Sequence, residues 1–279
     1  MIPSRSMERY QLELKTPAGV LSAEVEVSTG FVPIASIVPL VQQLGTEAHR
    51  LDEQEAIRAG GRISCQKGCA ACCRMLVPVS PLEAVALRRH LLTLPEERRL
   101  QIVDKLAESK HRLEQAGLLH PLRDLTESGD SLSDQELDPL NQTYYALRMP
   151  CPFLDNEVCS IYEHRPAACR ELLVTSPADL CQDLAHNPVE PINVSIRVST
   201  VLGLLWSELT GQAPRLIPLP IAIDWAEHHE ETARVLKKGT DLFQQALETA
   251  TRFLQQEFRA RTDKRTDSDT PSDSRPATG

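Results

Sequence analysis

Tyr10, Leu12 and Leu14 alternate with Gln11, Glu13 and Lys15. After Thr16-Pro17-Ala18-Gly19 the alternation resumes, with Leu21, Ala23, Val25 and Val27 set against Ser22, Glu24 and Glu26. A period of two marks half-exposed strands, so residues 10–27 are predicted to form a β-hairpin. The period then changes. Ile37, Leu40, Val41, Leu44, Ala48 and Leu51 recur mostly at steps of three and four, which predicts a helix from about 36 to 59. Pro39 fits its first turn and Gly60-Gly61 fits its end.

Further along, Ser80-Pro81-Leu82-Glu83 combines a serine cap, a proline at the first helical position and a glutamate at the third. It opens a predicted helix running to about Leu94. Pro95-Glu96-Glu97 opens another, through Leu100, Val103, Leu106 and Leu113 to about Ala116. Residues 120–135 are mostly polar and read as a surface loop. A short helix is expected over 134–147 despite Pro139, and an irregular stretch over 186–193. Three more helices are expected at about 194–210, 221–236 and 240–259. The last is amphipathic, with Leu242, Phe243, Ala246, Leu247, Ala250, Phe253, Leu254 and Phe258 along one side. From Arg261 onward the chain is too polar to bury a core and reads as a disordered tail. No internal repeat is visible. The fold class expected is mainly α, an irregular helical domain built around a cysteine-bound metal centre, with a small N-terminal β-hairpin. Its parts are a hairpin over 1–32, a helical metal-binding region over 33–260 with a cysteine core at 60–182, and the tail over 261–279.

Composition changes this picture little. The chain has 279 residues and is 41% hydrophobic, enough for a real core, but only 4% aromatic. That core must therefore be built mainly of Leu, Val, Ile and Ala. A net charge of -9 argues against a general nucleic-acid binder, which needs a basic surface to neutralise phosphates. Met1 to Tyr10 lacks the apolar stretch of a secretory signal, and no apolar run is long enough to span a bilayer. The expectation is a protein of the reducing cytoplasm, away from membranes, with a protein partner left open. In that compartment the eight cysteines are metal ligands or redox groups rather than disulfides.

Those cysteines fall in two blocks. Cys65, Cys69, Cys72 and Cys73 lie within nine positions, and Cys151, Cys159, Cys169 and Cys181 follow much later. Soft thiolates that converge within a few ångströms are what a metal site requires. The C-x2-C step from Cys69 to Cys72 turns two sulfurs inward, and Gly68 lets the backbone wrap closely. Cys65 and Cys69, four apart, can share a face. Cys72 and Cys73 are adjacent, and neighbouring side chains usually diverge. Both can ligate only if they face different metals or the local backbone is unusual; otherwise one is a ligand of a second site or a buried thiol. All eight are candidate metal ligands. They could supply two closed zinc sites, or one iron–sulfur cluster with cysteines to spare. C-x3-C is not the usual zinc-knuckle spacing and a cluster tolerates irregular spacing, which tilts the reading toward iron–sulfur and leaves zinc open.

The pattern C-x3-C-x2-C-C at 65–73, followed by C-P-F-L, C-S-I-Y-E-x-R-P-x-x-C-R at 151–170, resembles the YkgJ-type cysteine cluster family, described as a zinc- or iron-chelating domain. The resemblance covers roughly residues 60–182 and implies metal binding without a settled reaction. The leading expectation is a metal-binding protein whose centre is structural or electron-carrying. A related motif in flagellin lysine N-methylase implies the alternative, a metal-dependent protein-modifying enzyme. Cys65, Cys69 and Cys72 also match the triad of radical S-adenosylmethionine enzymes. Ala71 stands where those usually carry an aromatic residue, and the repeated strand–helix units of their barrel are missing.

Near the second block, Tyr162, Glu163, His164 and Arg165 could be catalytic. The reading preferred here is support, with Arg165 and Arg170 offsetting thiolate charge and Tyr162 packing. His228-His229 could form a second metal site, but their acidic neighbours fall on several faces and suggest a solvated helix. Trp206 and Trp225 are expected in the core. Arg88, Arg89, Arg98 and Arg99 are expected on the helix surface.

Overall fold

The computed structural model describes residues 6–128, 134–183 and 186–268. The chain opens with strands β1 (Met7–Thr16) and β2 (Gly19–Ser28), the predicted hairpin, in which Tyr10 pairs with Val25 and Leu14 with Leu21. Leu21, Val25 and Val27 are buried and the alternating polar positions are not. A short strand β3 (Phe31–Pro33) leads into helix α1 (Val38–Arg58), with Pro39 in its first turn as expected.

Next come β4 (Pro78–Val79) and α2 (Pro81–Thr93), which starts with the predicted capping box: the Glu83 amide donates to Ser80 Oγ, and the Glu83 carboxylate accepts from the Ser80 amide. Helix α3 (Glu96–Gln115) follows. Residues expected to form a surface loop are instead helical over α4 (Leu119–Ser128). The polar residues there lie on one side, while Leu122 and Thr126, four apart, are buried on the other. Helix α5 (Asp134–Ala146) brings the chain to the second cysteine block. That block holds a small hairpin, β5 (Leu154–Asp155) and β6 (Val158–Cys159), then the one-turn helix α6 (Ala168–Glu171).

Helix α7 (Val198–Thr210) starts later than predicted, because the chain before it is pinned in non-helical form to α1. There Asp52 accepts from the amide and hydroxyl of Ser195, and His49 Nε2 bonds the Ile196 carbonyl at 3.1 Å. The helix expected over 221–236 is divided. Strand β7 (Ile217–Pro218) leads into α8 (Leu219–His228), His229 leaves the helical conformation, and α9 (Glu230–Arg234) and β8 (Leu236–Lys238) follow. Helix α10 (Gly239–Ser268) extends beyond the predicted end at 259. Most of the tail expected over 261–279 lies outside the described residues.

The architecture is mainly α, with a small N-terminal hairpin and short strand pairs β3–β8, β4–β7 and β5–β6, all antiparallel. The described residues thus hold no parallel strand pair of the kind a radical-enzyme barrel is built from. One hydrophobic cluster runs from the hairpin through α1, α2, α7, α8 and α10. Trp206 and Trp225 lie within it, edge to face with ring centres 6.2 Å apart, as their expected core role requires. Among the described residues no helix is long and apolar enough to cross a membrane.

Candidate metal centre

The first cysteine block is a run of tight turns rather than a helix. The Cys69 amide donates to the Gln66 carbonyl, Cys73 to Ala70, and Met75 to Cys72, each at 3.0–3.1 Å. Gly68 sits at φ +94°, a backbone angle that side chains disfavour, so the first turn requires glycine there. These successive turns answer the problem posed by adjacent cysteines. Cys72 and Cys73 both reach the same cavity wall, because the backbone between them does not extend.

The second block closes over the first through the backbone. The Cys151 amide donates to the Cys73 carbonyl at 2.8 Å, and Ser64 donates to Val174 at 3.0 Å. At the tip of the β5–β6 hairpin, Asn156 and Glu157 both take positive φ, as a two-residue turn of this hand requires. Glu157 then forms a bidentate pair with Arg74, at 2.6 and 2.8 Å. A side chain from each block thus latches the two together.

Between the blocks lies a cavity of about 190 Å³ lined by six of the cysteines: Cys69, Cys72, Cys73, Cys151, Cys159 and Cys169. Its other walls include Met75, Val77, Phe153, Ile161 and Leu172, with Leu219 contributed by α8. The pairing of β4 with β7 and the 3.0 Å bond from the Leu219 amide to the Val77 carbonyl bring α8 over this space. Cys65 and Cys181 stand outside the lining. The Cys65 thiol donates to the Leu172 carbonyl at 3.7 Å, and Cys181 is buried in a 3-10 turn; both lie close enough to Cys69 and Cys72 for their charges to interact. All eight cysteines are free thiols. Among the described residues, no three His, Cys, Asp or Glu side chains are gathered as the ligands of a single metal ion. The sulfurs line a volume rather than converge on a point.

Burial sets the electrostatics. Cys151 faces the cavity instead of bulk water, and desolvation pushes its thiol up to about 12. Cys169 is raised well above the usual thiol range by the same cause, with the thiols of Cys151, Cys72 and Cys159 adding to it. Cys72 is raised by its bond to the Cys73 thiol and by burial. Without metal these groups are neutral at physiological pH, and binding a metal must release their protons. The soft donors, the apolar walls and the shared volume fit a thiolate-bound metal centre.

Two carboxylates, one buried and one partly buried, hold the second block against the helices. Glu83, 1% exposed, accepts from the Ala167 amide at 2.7 Å and from Gln42 Nε2 at 3.3 Å, besides its bonds to Ser80. Glu171 accepts from the amide and hydroxyl of Ser199 at 2.9 and 2.8 Å, at the start of α7. The capping box was legible in the sequence, but the reach of Glu83 to the second block was not.

Of the residues flanking the cysteines, Tyr162 and Arg165 line the cavity, and the Arg165 guanidinium lies 4.1 Å from the Tyr162 ring centre. His164 is not part of the lining and stacks on His90 at 3.8 Å. Arg170 donates to the carbonyls of Glu163 and Arg165. His228 bonds the Asp224 carbonyl, and His229 stacks on Trp225 at 4.2 Å. The two act as helix and core residues rather than as a metal pair. Arg88 and Arg89 are not plain surface: Arg88 pairs with Glu227 and Glu230, and Arg89 donates to the Ala233 carbonyl, tying α2 to α8 and α9.

Residues 64–186 match the model of the CxxCxxCC family, described as "Putative zinc- or iron-chelating domain". This is the cysteine-cluster family that the motif resembles. The match covers slightly under half of the chain and both cysteine blocks. The family name writes two residues between its first two cysteines, whereas this chain has three, Gln66, Lys67 and Gly68. The hairpin, α1 and the helices after residue 186 lie outside the match. No curated protein and no solved structure matches the chain.

Proposed function

We propose that this chain is a metal-binding protein whose two cysteine blocks together hold an iron–sulfur cluster, in a structural or electron-carrying role. The observation that supports it best is the single cavity of about 190 Å³ lined by six thiols from both blocks. A closed zinc site draws four sulfurs to about 2.3 Å from one ion and leaves no free volume inside. One water needs roughly 10–15 Å³ by the same kind of measure, so this space exceeds what a single ion fills. A cluster spans a wider set of sulfurs and tolerates their irregular spacing.

When bound, such a cluster supplies one-electron transfer. The chain itself supplies the rest. Its turns present the sulfurs, Phe153, Ile161 and Leu219 supply apolar wall beside them, and the raised thiols give up their protons on loading. Eight free cysteines favour a reducing compartment such as the cytoplasm. An electron-carrying role would further call for a redox partner protein.

The deciding experiment is anaerobic purification followed by iron, zinc and acid-labile sulfide analysis with a visible spectrum. The expected result is a brown protein with iron and sulfide in similar amounts. Colourless protein holding zinc without sulfide would sink the cluster, and absence of any metal would sink metal binding altogether. Cys69→Ser and Cys151→Ser should each abolish loading. Loss of only part of the metal in each would show two independent sites instead.

A further inference from the structure

Arg165 is placed unlike the other cations around the cavity. Its Nε is buried without a hydrogen-bond partner, and its guanidinium forms no ion pair among the described residues. Its position is nevertheless fixed. The guanidinium stacks on Tyr162, and its carbonyl accepts from Gln42 Nε2 at 3.4 Å and Arg170 Nε at 3.3 Å. The neighbouring cations are engaged elsewhere. Arg74 is paired with Glu157, Arg170 with backbone carbonyls, Lys105 with the Leu154 carbonyl and Asp155, and Lys67 with Glu163. A buried N–H without an acceptor is costly, and at the wall of a ligand cavity an arriving acceptor accounts for it. Arg165 lines the same cavity as thiols from both blocks, Cys69, Cys72 and Cys73 from one and Cys151, Cys159 and Cys169 from the other.

We infer that Arg165 donates its free N–H to a sulfur of the bound centre and, with its charge, sets the reduction potential of that centre. The inference rests on the cluster reading of the cavity. Potentials of such centres follow net charge, hydrogen bonds to the sulfurs and exposure, and Arg165 acts on the first two. Tyr162 is then the platform that holds the guanidinium plane against the cavity.

The test uses the full chain, reconstituted anaerobically with iron and sulfide, as wild type, Arg165→Gln, Arg165→Lys and the exposed control Arg50→Gln on α1. Iron and sulfide content, the visible spectrum and the midpoint potential are measured for each. Arg165→Gln should load like wild type and show a more negative midpoint, because an added electron loses both a positive charge and a donor. Arg165→Lys should shift less in the same direction, and Arg50→Gln should stay with wild type. Unmoved midpoints in both Arg165 variants would overturn the inference. Should Arg165→Gln not load, the Arg165→Lys midpoint decides. Loss of the cluster from both, with the fold retained by circular dichroism, would make Arg165 a holding residue and overturn its role in the potential. A wild-type chain that takes up no cluster sinks the cavity reading itself, a result separate from any failure of Arg165.

Discussion

Glu83 carries more of the structure than its place in a capping box suggests, and Glu83→Gln isolates that contribution. The substitution keeps the shape and replaces one acceptor oxygen by an NH₂ group. In the native protein one oxygen accepts from the Ser80 amide and hydroxyl, and the other from the Ala167 amide and Gln42. Whichever way the new amide turns, its NH₂ faces a buried backbone N–H, of Ser80 or of Ala167, and that donor is left without an acceptor. One such orphan costs about 1–3 kcal/mol, and the remaining bonds weaken as they lose the charge that strengthens them. The total is roughly 2–4 kcal/mol. With an unfolding entropy of about 2 cal/mol/K per residue, a chain of this length should lose roughly 3–7 °C in melting temperature. The assay is urea and thermal unfolding of the metal-free protein followed by circular dichroism, with the exposed Glu97→Gln as control. A loss below about 0.5 kcal/mol, no larger than an ordinary surface change, would refute the view of Glu83 as a shared acceptor.

Two further outcomes follow from the site. Metal-free protein should lose stability as pH rises from about 9 toward 12. The folded thiol of Cys151 is held up to about 12, so above pH 9 the unfolded chain sheds this proton first; the contribution is complete below that pH and declines through the window. Urea midpoints at neutral and alkaline pH measure this, and Cys151→Ser should decline less; equal declines would contradict it. Gly68→Ala should destabilise by roughly 1–3 kcal/mol from backbone strain alone, since an added Cβ meets nothing within 4 Å. Unfolding that matches wild type would show that the turn can re-form without glycine.

The parts of the fold that were legible in the sequence were those encoded locally. The β1–β2 hairpin, α1 and the start of α2 each carry their signal within one period of alternation, one proline or one cap. Helix α4 is hidden in the sequence because its polar content masks the four-residue step from Leu122 to Thr126. The pairs β3–β8 and β4–β7 were out of reach for a different reason. Strands of two or three residues have no period of their own, and their partners lie far along the chain. At the site, the cysteines announced themselves by type and spacing. Which of them share a cavity depends on turns that place Cys73 beside Cys72 on its wall and turn the Cys65 thiol to the Leu172 carbonyl, and spacing alone does not contain that. Asn156 before Glu157 was a usable turn signal for the small hairpin. Nothing in the sequence pointed from that hairpin to Arg74.

The way the second block is held also reverses the order in which the sequence suggests the molecule is built. Cysteine spacing reads as if the metal organises the helices. In the structure, Asp52 of α1 fixes Ser195, Glu83 of α2 fixes Ala167, and Glu171 of α6 fixes Ser199. Each carboxylate meets a backbone amide next to the second block or the chain leaving it. None of the three lines the cavity. Their bonds are made entirely within the protein, and the large apolar cluster behind them contains Val201, Leu202, Leu205 and Trp206 rather than cysteines. Hydrogen bonds and packing away from the cavity thus hold the second block against the helices. On the proposed role of Arg165, the guanidinium left without a partner at the cavity wall belongs to the centre's chemistry rather than to the fold.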